Sequence, residues 1–178
     1  MVNIKESDIN IYIVDDDELM SKILRTKFEQ SGDFRIISFA SGEEFLEYFG
    51  NNPLNKRQIH IVILDYLFKS NVNPQAKNGL EILKSIREVN KELEVIMLSG
   101  LEDVDIASKA IKCGAVSFVK KNENSFLRIQ NNVKFIISQN RLKLTKKQSR
   151  FTRQLFLILI ALIIGFAIYY VISEFVLN

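Results

Sequence analysis

Two short runs of branched apolar residues, each halting on carboxylates, constrain this chain more than anything else in it. Ile61-Val62-Ile63-Leu64 runs into Asp65, and Ile9-Asn10-Ile11-Tyr12-Ile13-Val14 runs into Asp15-Asp16-Asp17. A strand covered by helices on both faces has no reason to alternate polar and apolar residues, so such runs predict buried strands of a parallel sheet. Each acid then sits at the carboxyl end of a strand, where the loops of an open parallel sheet part to form a crevice. If the two strands are neighbours their carboxylates converge, and several acids in one crevice call for a cation.

The rest of the chain continues the alternation of strand and helix. Leu19, Met20, Ile23, Leu24 and Phe28 recur at helical spacing before Ser31-Gly32, which predicts a first helix. Phe34 to Phe39 follows as a strand, and Ser41 with Glu44 predicts a capping box opening a helix that Gly50 closes. After the Asp65 strand comes a polar stretch, Lys69 to Asn78, before Gly79-Leu80 opens a helix carrying Ile82, Leu83 and Ile86. Glu94 to Leu98 is a strand ending on Ser99-Gly100, Asp103 caps a helix that ends at Gly114, and Val116 to Val119 is a strand closing on Lys120-Lys121. A last helix starts near Asn124-Ser125, with Phe126, Ile129, Val133, Ile136 and Ile137 on one face. Five strand-helix units imply an α/β fold with a doubly wound five-stranded parallel sheet.

Charge divides the chain. Residues 1–123 carry 16 Lys and Arg against 20 Asp and Glu, whereas residues 124–178 carry 8 against 1. Arg141, Lys143, Lys146, Lys147, Arg150 and Arg153 crowd a basic segment, and Leu155 to Ile172 then contains no charge. About 20 apolar residues cross a bilayer core, so this stretch is expected to be a single transmembrane helix. Basic residues flank only its amino-terminal side, which places the preceding domain on the cytoplasmic face of a membrane. The expected division is 1–140 for the α/β domain, 141–154 for a basic juxtamembrane segment and 155–178 for the span and a short tail. Lipid headgroups, rather than nucleic acid, are the expected partner of the basic segment. Ala161 and Gly165 stand four apart, a spacing that lets helices approach closely, so a homodimer is a further candidate. Met1 to Asp8 is polar, so no signal peptide is expected, and the single cysteine, Cys113, precludes an intramolecular disulfide.

At the strand ends the three acids, Asp65, Ser99 and the two lysines each have a plain structural alternative. Acids cap helices, serine suits turns, and lysines are ordinarily solvated. Four such groups at the same end of successive strands is a rarer arrangement, and it is the constellation that points to chemistry. His60, the only histidine, is read as a packed or edge residue of its strand, and Cys113 as a small buried residue.

Val14-Asp15-Asp16, Leu64-Asp65, Leu98-Ser99-Gly100 and Gly114-Ala115-Val116-Ser117-Phe118-Val119-Lys120-Lys121 together resemble the response-regulator receiver domain of two-component signalling, over about residues 8–140. The resemblance implies a flavodoxin-like fold and a phosphoryl group accepted on Asp65 from a histidine kinase or phosphotransfer protein. It implies Mg2+ held by Asp15, Asp16, Asp65 and the backbone carbonyl of Leu67. It makes Ser99 the switch hydroxyl, Phe118 the switch aromatic, and Lys121 the site lysine with Lys120 as the alternative. Such a domain catalyses its own phosphorylation and serves mainly as a signalling switch. The sequence departs from the family where Lys69 and Asn122 stand in place of prolines and where the loop to Asn78-Gly79 is longer. Two other readings stay open: a phosphorylation-independent docking module, and a phosphatase of the haloacid dehalogenase type with Asp15 as nucleophile and Asp17 as acid/base. The phosphatase family has an acidic pair after its lysine, and beyond Lys121 only Glu123 and Glu174 are acidic.

Overall fold

The computed structural model describes residues 5, 8–55, 58–68, 77–101 and 103–177; in the last stretch side chains are given for 103–143, 146 and 151–165. The chain divides into two units, Asn3–Ser138 and Gln139–Asn178. In the first, strands and helices alternate as β1 (Ile9–Val14), α1 (Glu18–Ser31), β2 (Arg35–Phe39), α2 (Gly42–Asn51), β3 (Ile59–Asp65), α3 (Gly79–Val89), β4 (Glu94–Ser99), α4 (Val104–Lys112) and β5 (Ser117–Lys120). A final helix, α5 (Ser125–Leu177), begins in the first unit and supplies the second. The strands form one parallel sheet of order β2-β1-β3-β4-β5.

β1 lies between β2 and β3, with Val14 opposite Leu64, so the acids after Val14 and the acid after Leu64 leave the sheet side by side. Both faces of the central strands are covered, which is why the apolar runs do not alternate. On one face Tyr12, Val14, Val62, Leu64, Val95 and Met97 join Phe45 and Phe49 of α2 and Ile82, Leu83 and Ile86 of α3 in a single apolar cluster. Ile9, Ile11, Ile13, Ile61 and Ile63 alternate with these along their strands and therefore point to the opposite face. There the buried apolar residues of α1 and α5 are Leu24, Phe28, Ile129, Val133 and Ile136. Phe28 meets Phe126 edge to face at 5.2 Å between ring centres, locking α1 to the start of α5.

In α1 only Leu24 and Phe28 are fully buried; Leu19 is 68% exposed and Ile23 41% exposed. Two local expectations are corrected. Gly50 does not close α2: the helix runs to Asn51, and Asn52 ends it by donating both its backbone and side-chain N–H to Tyr48 O. The Ser41 hydroxyl caps α2, but Glu44 returns to the N–H of Ala40, so the expected box is not formed. A complete capping box stands instead at Asn78 and Glu81, opening α3. At the far end of the sheet, Arg87 donates to the carbonyls of Leu93 at 2.6 Å and Gly114 at 2.7 Å, tying the exit of α3 to the turn before β5. Gly114 is the one described residue with positive φ, +99°, and a Cβ there would lie 2.7 Å from Arg87 Nε.

In the second unit α5 presents Leu155 to Ile160 and Leu162 to Ile164 as exposed apolar side chains. Among the described residues no helix is long and apolar enough to cross a membrane. The expected span, Leu155 to Ile172, continues past Gly165, where the described side chains end, so the side chains of its last seven residues lie outside them. Residues 69–76 of the expected long loop also lie outside the described residues.

Candidate functional site

The three acids after β1 divide their work. Asp17 is the cap of α1, accepting from the N–H groups of Leu19 at 3.0 Å and Met20 at 3.1 Å. Asp15 is 3% exposed; its N–H donates to Phe39 O, and its Oδ1 accepts from the N–H of Asp17 at 3.0 Å. Of the three acids, Asp17 is the one whose carboxylate caps α1. Asp65, at the end of β3, is 4% exposed, and its Oδ1 accepts from the N–H of Tyr66 at 2.9 Å. Asp15, Asp16 and Asp65 each bring one carboxylate oxygen within 4.8 Å of the other two.

Lys121 reaches into this cluster. Its Nζ stands 2.8 Å from Asp15 Oδ2 and 3.0 Å from Asp65 Oδ2, while its backbone N–H donates to Ser99 O at 2.7 Å. Of the two candidate lysines it is Lys121 that bridges the acids; Lys120 is the last residue of β5, opposite Ser99 in register. Ser99 is fully buried and its Oγ accepts from the N–H of Leu101 at 3.0 Å. Phe118 is half-buried against the apolar cluster. Leu67, two residues beyond Asp65, has a half-exposed side chain.

Electrostatics follow from burying like charges together. Burial first, then the Asp15 charge, push Asp65 up to about 6, against the opposing pull of Lys121 and the Tyr66 N–H. Burial would lower Lys121, but its hydrogen bond to Asp15 and the charges of Asp65 and Asp15 outweigh that and hold the ammonium above its ordinary value. Lys121 sets one ammonium between Asp15 and Asp65, and Asp16 brings a third carboxylate to the same cluster. Clustered carboxylate oxygens of this kind suit a hard dication. Asp15, Asp16 and Asp65, with one oxygen each within 4.8 Å of the others, would hold such an ion through hard carboxylate oxygens. The donor set fits Mg2+.

The sequence model of the response regulator receiver domain matches residues 11–131, well over half of the chain. The chain belongs to the response regulator receiver domain family. Receivers are phosphorylated on an aspartate in two-component signalling, interact with histidine kinases or phosphotransfer proteins, and bind Mg2+ at an aspartate cluster. This receiver is 32% identical over 111 residues to the response regulator protein TodT of Pseudomonas putida and 27% identical over 113 residues to the transcriptional regulatory protein MalR of Bacillus subtilis. These alignments cover 62% and 64% of the chain and 44% of each relative, so it spans less than half the length of either. Among solved structures it resembles the response regulator TrrA of Thermotoga maritima in complex with Mg2+ and BeF, with a TM-score of 0.58 and 25% identity over 71% of this chain and 97% of that one. It also resembles a chain of the CheX–CheY–BeF3–Mg2+ complex of Borrelia burgdorferi, with a TM-score of 0.61 and 29% identity over 72% and 89% of the two chains.

His60 lies near the amino end of β3, remote from Asp65. Its Nε2 donates to Asn55 O and its Nδ1 accepts from the Tyr12 hydroxyl, both at 3.0 Å. Burial lowers its pKa, with the Asn55 carbonyl opposing. Cys113 is half-buried and ends α4. What sequence reasoning missed is the contact between Asp65-Tyr66 and Gly79. The Asn78 to Glu81 spacing of a capping box was the signal available.

Proposed function

We propose that this receiver accepts a phosphoryl group on Asp65 from a histidine kinase or phosphotransfer protein, with Mg2+ held by Asp15, Asp16, Asp65 and the Leu67 carbonyl. A carboxylate oxygen of Asp65 attacks phosphorus as the donor's nitrogen–phosphorus bond breaks and the donor imidazole keeps the electron pair. Mg2+, when bound, supplies positive charge that offsets the phosphoryl oxygens. The ammonium of Lys121 stands beside the attacking carboxylate and is free to follow the new anionic oxygens, while the Ser99 hydroxyl donates to one of them. Ser99 then gives up its bond from Leu101, and Phe118 turns inward to report the change to partners. The observation that carries this reading is the Lys121 Nζ, 2.8 and 3.0 Å from two buried aspartates.

The test is transfer from a phosphorylated histidine kinase with Mg2+ present. The parent should acquire a base-labile label, and Asp65→Asn should acquire none, since an amide cannot form the acyl phosphate. Label on Asp15 would instead favour the phosphatase reading, and no label on a folded, Mg2+-loaded parent would favour a docking module.

Membrane attachment is part of the same proposal. Leu155 to Ile172 lacks charge, and the basic residues from Arg141 to Arg153 precede it. A helix apolar on every side needs cover all round, which lipid supplies. The receiver would then work on the cytoplasmic face of the membrane, its basic segment against anionic headgroups.

A further inference from the structure

α3 begins directly on the backbone of the acceptor. The N–H of Gly79 donates to Tyr66 O at 2.9 Å. A Cβ on Gly79 would overlap the carbonyl oxygen of Asp65 and lie 2.8 Å from Tyr66 Cα and 3.0 Å from the Asp65 carbonyl carbon. These are backbone atoms, which cannot swing aside as the end of a side chain can. Gly79 does not have positive φ, so the need for glycine here is one of space. On its other side the same peptide is held by the sheet, because the Tyr66 N–H donates to Leu98 O at 2.8 Å and to Asp65 Oδ1 at 2.9 Å. The Asp65-Tyr66 peptide is thus clamped between β4 and the first turn of α3. That turn is itself held by Asn78, whose side chain accepts from Leu80 and Glu81.

We propose that Gly79 is a positioning residue for the phosphoryl acceptor: the absence of its side chain lets α3 seat on the Asp65-Tyr66 peptide and sets where the Asp65 carboxylate meets Asp15, Asp16 and Lys121. This rests on Asp65 being the acceptor. An added methyl moves the peptide rather than any side chain, and displacement of about 1 Å at a reacting group costs on the order of 100-fold in rate.

Gly42 supplies the control. The atoms nearest a Cβ there all belong to the buried Ile82 side chain, so Gly42→Ala presses α2 on α3 at a side chain and not at the acceptor backbone. With saturating Mg2+, Gly79→Ala should slow phosphorylation by roughly 10- to 100-fold and weaken Mg2+ binding, measured by calorimetry. In the metal-free protein it should also shift the backbone amide resonance of Tyr66. Gly42→Ala should leave all three near the parent's. A folded Gly79→Ala matching the parent in Mg2+ affinity and Tyr66 resonance overturns the proposal. If Gly79→Ala does not fold, Asn78→Ala and Ser41→Ala remove the caps of α3 and α2 respectively. Weakened Mg2+ binding in Asn78→Ala alone supports the proposal, and equal affinity in both overturns it. A parent that takes up no phosphoryl group refutes the acceptor reading separately, since the Tyr66 resonance still reports whether Gly79 sets the peptide.

Discussion

Asp65 must be ionised to attack phosphorus, yet the fold raises its pKa to about 6 from an ordinary 3.8. Between those values the folded state holds a proton that the unfolded chain has released. Its contribution therefore favours the fold below about pH 4, declines as pH rises towards 6, and is fully lost above that. At about 1.4 kcal/mol per pKa unit, the loss is on the order of 2–3 kcal/mol without metal. Asp65→Asn removes the buried charge, so in EDTA it should be more stable than the parent at pH 8, with the gap nearly closed at pH 4. Urea unfolding of both proteins at the two pH values checks this, and an equal gap at both would show that Asp65 does not carry the strain. Saturating Mg2+ should narrow the gap at pH 8, because binding to the folded parent alone stabilises it.

Within single elements, periodicity marks a face more generously than the sheet can cover. Leu19 and Ile23 share the helical spacing of Leu24 and Phe28, but they stand exposed while Leu24 and Phe28 alone are buried in α1. Phe28→Ala should cost about 3–5 kcal/mol, since it leaves a cavity against Phe34 and Phe126. Leu19→Ala and Ile23→Ala should each stay within about 0.5 kcal/mol of the parent, as is usual for exposed positions. Thermal or denaturant unfolding of the three variants separates these outcomes, and equal losses would mean that the exposed pair is packed after all. The two capping sequences teach the same lesson. Ser41 and Glu44 have the spacing of a box, but the Glu44 carboxylate takes the N–H of Ala40, one residue earlier. Asn78 and Glu81 close the box fully.

At the scale of the molecule, the strand order brings the site together. β1 sits between β2 and β3, so the chain leaves the sheet in opposite directions on either side of the β1–β3 boundary, and the crevice opens there. All the chemistry proposed here lies upstream of Gln139, in the unit Asn3–Ser138. Deleting Leu155 to Asn178 should therefore release the protein from membranes while leaving phosphorylation of Asp65 intact. Fractionation after high-salt and carbonate washing checks the first part, and kinase transfer checks the second. Persistence of the truncated chain in the membrane fraction would reject attachment through that segment.

The five strands, their order along the chain and the acids at their ends were legible because burial on both faces forces long apolar runs, and a polar residue breaks each run at its carboxyl end. The motifs at Asp15, Asp65, Ser99 and Lys121 were legible for the same reason, since each stands at or just past the end of a strand. Which lysine reaches the acids was not, because Lys120 and Lys121 are adjacent in sequence and only the end of β5 decides which one turns into the crevice. Nor could sequence separate Asp17, a helix cap, from its two neighbours, since capping and metal binding both use a carboxylate and differ only in where the backbone points it. The seat of Gly79 on Asp65-Tyr66 joins residues far apart in the chain through backbone atoms, which leave no mark in side-chain pattern, so only the tertiary structure decides it.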